Sequence, residues 1–213
     1  MKFVVHKRTK AELELVGSVA LVGNSDGLLD KGYGSEIDSY DHVFRFNLAD
    51  TSERYQKDCG KKMDYCFFSL NISTHQQPLP TEKQQLFRNI CRKAKVICYP
   101  NHDKYILPLN KRPLYMMASV DDVNFVFHML LGHKKWSFSK KNQPRNGVKL
   151  LACLLQGKVK PVLYGFDVVD RGDNQHYFDN EVQVECEGVG HRPSVEYGLI
   201  QELHEKGLLE LKP

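Results

Sequence analysis

Short runs of β-branched and aliphatic residues, each closed by a turn residue and interleaved with segments of helical spacing, constrain this chain more than any other feature. "SVALVG" (18–23), "HVFRFN" (42–47), "MDYCFF" (63–68), "KVICY" (95–99) and "VKPVLYGF" (159–166) read as strands. Helical periodicity marks "TEKQQLFRNICRKA" (81–94), "SVDDVNFVFHMLLG" (119–132), "NGVKLLACLLQG" (146–157) and "RPSVEYGLIQELHEKG" (192–207). Thr81 is the expected cap of the first, Ser119 and Asp122 form a capping box on the second, and Gly132 and Gly207 are stop signals. Pro161 predicts that the strand holding it is irregular or near an edge, and "LLEL" (208–211) predicts a short closing strand.

Such alternation predicts an α/β fold: one open, mainly parallel sheet with helices on both faces. No repeat or linker interrupts it, so residues 1–213 read as a single domain. Open parallel sheets bind ligands where strands end, near the point at which strand order reverses. Gly23-Asn24-Ser25, Asn47 and the segment after Gly165-Phe166 fall at such ends.

Charge and composition narrow the partner. A net charge of +4 over 213 residues favours a small anionic ligand and falls short of a nucleic-acid footprint. No apolar run reaches the roughly twenty residues a bilayer span needs, and charges interrupt the opening segment, so a cytoplasmic protein is expected. The six cysteines show no zinc-type spacing with histidine, and Cys98 and Cys153 lie in apolar runs that predict buried thiols.

The candidate chemistry sits in a few places. Gly23-Asn24-Ser25-Asp26-Gly27 is a strand-exit turn but matches neither GxGxxG nor GxxxxGK[ST], which leaves a dehydrogenase unsupported. No GxSxG elbow and no DxD metal motif occurs. His176-Tyr177-Phe178-Asp179 and the pair His191 and Glu196 are the titratable candidates among nine histidines. His191 precedes Pro193 and lies in a loop, whereas Glu196 falls in the first helical turn, where it either orients His191 or caps its own helix.

Together these pieces resemble the animal-type sialyltransferases, a family with four ordered motifs. Gly23-Asn24-Ser25, Tyr33-Gly34, Glu36-Ile37-Asp38, Asp41, Val43-Phe44-Arg45 and Asn47 are similar to its large motif. Pro144, Gly147 and Tyr164-Gly165-Phe166 resemble its small motif, His176-Tyr177-Phe178-Asp179 its third, and His191 with Glu196 its last. Residues 55–64 (Tyr55, Asp58, Gly60, Asp64) and 203–211 resemble the polysialyl, α-2,8-type branch. The likeness spans residues 18–211.

It implies a Rossmann-like, GT-A-like catalytic domain that transfers sialic acid from CMP-sialic acid to a sugar hydroxyl of a glycan, inverting and without a divalent metal or other cofactor. It also implies roles for residues. His191 is the general base, and His176 with Tyr177 assists departure of CMP. Asn24, Ser25, Asn47, Asn146 and Gly147 hold the donor, with close backbone approach at Gly23 and Gly27. Two departures stand out. The family's disulfide positions are Val19 and Lys158, which suits folding in a reducing compartment, with the Golgi lumen an alternative if an anchor is missing. Arg145-Asn146 replaces two small hydroxyl residues, and an arginine there is able to fork onto a phosphate or carboxylate. Another CMP-activated acid sugar of the Kdo type, and a nucleotide-binding homologue without turnover, are the alternative readings. Neither the acceptor linkage nor the oligomeric state is written in the sequence.

Overall fold

The structure, a computed structural model, describes residues 2–4, 12–68, 81–98, 114–115, 119–166 and 193–213. Strands β1 (Lys2–Val4) and β2 (Glu12–Glu14) form an antiparallel pair of their own. The main sheet takes β3 (Val19–Val22), β4 (His42–Phe46), β5 (Tyr65–Phe68), β6 (Lys95–Cys98), β7 (Leu114–Tyr115), β8 (Val162–Tyr164) and β9 (Glu210–Leu211). Their order is β7-β6-β5-β4-β3-β8-β9, and every neighbouring pair is parallel.

Alternating side chains divide the core into two faces, as the period of a strand requires. Val19 and Leu21 of β3, Phe44 and Phe46 of β4, and Leu163 of β8 join the larger cluster. That cluster also takes in the helices α4 (Val120–Leu131), α5 (Asn146–Gln156) and α6 (Pro193–Glu205). Ala20, Val22, Val43 and Tyr164 point the other way, onto α1 (Gly34–Ser39) and α2 (Glu53–Cys59). Cys66, Phe68, Val96 and Cys98 do the same beneath α3 (Thr81–Lys93). Because both faces are covered, the strands read as continuous apolar runs rather than alternating ones. Each fully buried aliphatic side chain contributes about 1.5–3 kcal/mol to such a core.

Most expected elements are present, with informative differences. The Ser119–Asp122 capping box forms as predicted, and Gly132 ends α4 in the left-handed region at φ 75°. Thr81 is the first helical residue of α3, not a cap outside it. Pro161 leads into a strand that is near an edge, with only β9 beyond it. β8 lies between β3 and β9, and Pro161 stands just before it, where its carbonyl accepts the Glu210 N–H at 3.0 Å. A strand can hold a proline at this place because the ladder asks no N–H of it. The six-residue α1 and seven-residue α2 are elements the sequence reading lacks.

From β3 the chain runs outward through β4 to β7, then returns to lay β8 and β9 on the other side of β3. The reversal therefore falls between β3 and β8, and their carboxyl ends form the crevice such sheets use for ligands. Among the described residues no helix is long and apolar enough to cross a membrane.

Candidate functional site

The two strand exits at the reversal touch backbone to backbone. The Gly23 N–H donates to the Tyr164 carbonyl at 2.8 Å. A Cβ on Gly23 would lie 2.3 Å from the Gly165 carbonyl oxygen, and Gly165 itself turns at φ 66°. Glycine is needed at both positions to let the exits pass. Gly23 meets Gly165, in keeping with the close backbone approach expected of it, and the Gly27 N–H donates to Ser25 Oγ at 3.1 Å. Ser25 thus caps a short 3₁₀ turn, Asp26–Leu28, while keeping its own hydroxyl hydrogen as a donor.

Asn24 follows at the mouth of the crevice. Its Nδ2 donates to the Phe46 carbonyl at 3.0 Å, fastening the exit of β3 to that of β4. Its Oδ1 is buried and makes no hydrogen bond among the described residues. A buried acceptor without a partner is costly, which makes Asn24 the best-supported ligand contact here. Asn47 sits at φ 54°, a conformation asparagine tolerates. Its N–H donates to the Phe67 carbonyl at 2.8 Å, and its carbonyl accepts from Cys66 Sγ at 3.3 Å, so the backbone is fixed and the side chain is presented from a rigid turn.

Phe166 brings α5 to this edge. A Cβ on Gly147 would stand 2.7 Å from Phe166 Cε1, so only glycine lets the helix start close over that ring. The same ring packs edge-on against Phe46, with centroids 6.0 Å apart. The first turn of α5, the exit of β8 and the exit of β4 are joined through one aromatic side chain.

Arg145, the residue before α5, has an extended backbone and no side-chain cap of its own. Glu196 from α6 supplies one: its Oε1 accepts the Arg145 N–H at 2.7 Å and its Oε2 accepts Nε at 2.5 Å. Glu196 is only 1% exposed. Glu196 thus caps α5 from across the α5–α6 contact, and the carboxylate that Arg145 reaches is its own. Lys149, one turn further along α5, is also buried, and desolvation lowers its pKa while the charge of Glu196 partly restores it.

Comparison with known proteins follows this geometry. Residues 5–109 match the model of glycosyltransferase family 29 (sialyltransferase). That stretch holds the exits of β3 and β4. A Mus musculus CMP-N-acetylneuraminate-beta-galactosamide-alpha-2,3-sialyltransferase 2 is 25% identical over 169 residues, covering 76% of this chain and 46% of the mouse protein. The Arabidopsis thaliana beta-1,6-galactosyltransferase GALT29A is 33% identical over 115 residues, or 48% of this chain and 28% of that one. The chain thus spans about half the length, or less, of these relatives. Among solved structures, a mammalian sialyltransferase in complex with Gal-beta-1-3GalNAc-ortho-nitrophenol superposes with a TM-score of 0.61 at 21% identity, covering 92% of this chain and 68% of that one. The fold is shared with that enzyme.

Seen beside the family 29 match, most of the acidic motif positions are structural. Asp41 accepts from the Ser18 N–H and hydroxyl at 2.7 and 2.8 Å. Asp38 accepts the N–H groups of Lys61 and Lys62, Asp58 that of Gly32, and Asp64 that of Val43. Arg45 is fully buried and donates to the carbonyls of Cys59 and Lys62. Glu36 accepts from Tyr164 at 2.8 Å and pairs with Lys212 at 3.0 Å. These bonds hold the loops around α1 and α2.

His176, Tyr177 and His191 lie outside the described residues, so their roles rest on the sequence alone. Phe46 and Phe166 are the site residues whose part the sequence reading missed. An aromatic directly after a strand-ending glycine was the available signal. Among the described residues no three His, Cys, Asp or Glu side chains are grouped to hold a metal ion.

Proposed function

We propose that this chain is a family 29 enzyme that moves sialic acid from CMP-sialic acid to a hydroxyl of a glycan acceptor, with inversion at the anomeric carbon and without a divalent metal. The observation that carries the reading is the buried Oδ1 of Asn24, unpartnered among the described residues and set at the strand-order reversal beside the first turn of α5. An acceptor atom of that kind takes a hydroxyl or amino hydrogen from the nucleotide. The positive end of α5, whose first turn holds Asn146 and Gly147, suits its phosphate. Ser25 and Asn47 complete the donor side.

In this reading His191, as neutral imidazole, removes the acceptor's proton while the oxygen attacks, a contribution of about 10²–10⁴-fold. His176 and Tyr177 donate hydrogen bonds to the departing phosphate, where charge grows only in the transition state. A single displacement from the side opposite CMP inverts the anomeric centre. A leaving group with one phosphate, met by such donors, does not call for a divalent ion. Cys59, Cys66 and Cys153 are free thiols, which agrees with a single domain working in a reducing compartment. The relatives compared above carry α-2,3 and β-1,6 names, and they give the α-2,8 leaning of residues 55–64 and 203–211 no support.

A second reading keeps the site and changes the donor to another CMP-activated acid sugar of the Kdo type. Arg145 is the residue that favours it. The deciding experiment measures CMP release from CMP-sialic acid in EDTA, with and without a panel of galactosides. Acceptor-dependent release is expected. Release of nothing, with CMP still raising the melting temperature, would favour the second reading or a binding role. No thermal response to CMP would overturn the nucleotide site altogether.

A further inference from the structure

Arg145 is held at two points and left open at a third. Its main-chain N–H and its Nε both end on the buried carboxylate of Glu196, at 2.7 and 2.5 Å. The guanidinium is planar, so fixing Nε and the backbone also fixes the plane and leaves the far edge, Nη1 and Nη2, as a fork of donors. Among the described residues neither Nη makes a hydrogen bond. The side chain is 33% exposed although its partner's is 2%.

The surroundings favour a negative group at that edge. Residues 123–166 contain eight Lys and Arg and no Asp or Glu, and among the described residues the carboxylate bonded to Arg145 comes from α6. Buried Lys149 lies one turn along and also feels the charge of Glu196. Both cations stand at a helix start that is itself positive. Arg145 stands two residues before Gly147, whose contact with Phe166 joins α5 to the strand exits carrying Asn24.

We infer that Arg145 is a specificity-determining residue that reads an anionic group of the donor through its Nη edge, with Glu196 as the residue that aims it. The inference rests on the proposed nucleotide site and deepens it. An anchored arginine loses little freedom on binding, so its contacts yield more affinity than those of a mobile surface cation. Neutral cytidine gains nothing from it, whereas CMP presents a phosphate and CMP-sialic acid adds a carboxylate.

The test is calorimetric titration of wild type, Arg145→Lys, Arg145→Ser and the double variant Arg145→Ser/Glu196→Gln with cytidine, CMP and CMP-sialic acid. The double variant removes the stranded carboxylate and keeps a measurable protein if Arg145→Ser alone unfolds. Expected is a loss of about ten- to a hundred-fold in affinity for CMP or CMP-sialic acid in both serine variants, with cytidine unchanged and Arg145→Lys intermediate. A loss confined to CMP-sialic acid assigns the sugar carboxylate, and a loss shared with CMP assigns the phosphate. Equal changes for all three ligands, or none, would overturn the role of Arg145. Failure of wild type to bind any of the three would overturn the nucleotide site on which the role depends.

Discussion

The Tyr164 hydroxyl donates to Glu36 Oε1 at 2.8 Å, although 128 residues separate the two. Since that hydrogen is committed to Glu36, the Tyr40 hydroxyl, 3.0 Å away, donates to Tyr164 in turn. Burial raises the Tyr164 pKa, so the phenol stays neutral and remains a donor. Tyr164→Phe deletes the shared oxygen and strands both partners. A destabilisation of about 1–3 kcal/mol by urea unfolding is expected.

The same carboxylate makes stability pH-dependent. The Tyr164 hydrogen bond first, and Lys212 second, lower the Glu36 pKa from its ordinary 4.5. With the folded value below the unfolded one, the stabilisation is complete above the unfolded pKa and fades as pH falls through the folded one. Unfolding of wild type and Glu36→Gln compared from roughly pH 6 to roughly pH 3 should show the gap between them closing towards acid. Glu36 is partly exposed, so solvent screening keeps that gap small.

Arg145 and Glu196 should respond unequally to truncation. Removing Arg145 strips the side-chain partner from a carboxylate that is 1% exposed, at a cost of about 3–5 kcal/mol. Removing Glu196 leaves an arginine that solvent can reach and costs about 1–2 kcal/mol, chiefly the lost helix cap. Denaturation of the two alanine variants checks the order, and equal costs would refute it.

Two glycines should separate folding from binding. At Gly23 the obstacle to a Cβ is the Gly165 backbone, which cannot move aside, so Gly23→Ala falls at or beyond the upper end of about 1–3 kcal/mol. At Gly147 the obstacle is the Phe166 ring, and alanine's better helix propensity offsets up to about 1 kcal/mol. Gly147→Ala is therefore expected to melt near wild type and to bind CMP several-fold more weakly, as seen by thermal shift and calorimetry.

For the chemistry, His191→Ala should abolish transfer with CMP affinity nearly unchanged, while Asn24→Ala should weaken CMP binding. Parallel titrations and rate measurements separate the two. Equal loss of both functions in His191→Ala would remove it as general base.

β3 to β6 and β8 were legible because they are buried on both faces and so read as apolar runs, whereas the two-residue β7 is too short to show one. α1 and α2 were not, since "GSEIDS" and "ERYQKDC" are too short to show a helical period and are held by tertiary bonds such as Asp38 to Lys62 and Asp58 to Gly32. The same bonds explain why acids in the motifs look chemical and act structurally: a one-dimensional pattern does not distinguish a carboxylate that meets a ligand from one that caps a loop. The Arg145–Glu196 pair was beyond reach for a related reason. Each residue was picked out separately, but 51 positions lie between them, and only the packing of α6 beside α5 joins them.

The placement of β8 next to β3 also dictates a timetable. The ligand crevice needs Asn24 from the first quarter of the chain and Phe166 from the last, and β9 pairs only once residues 210–211 exist. A growing polypeptide on the ribosome therefore has the first half of this crevice long before the second. Contacts between segments so distant form slowly. A ligand held between the two strand exits would bind only once both are in place, so its binding would report closure of the sheet.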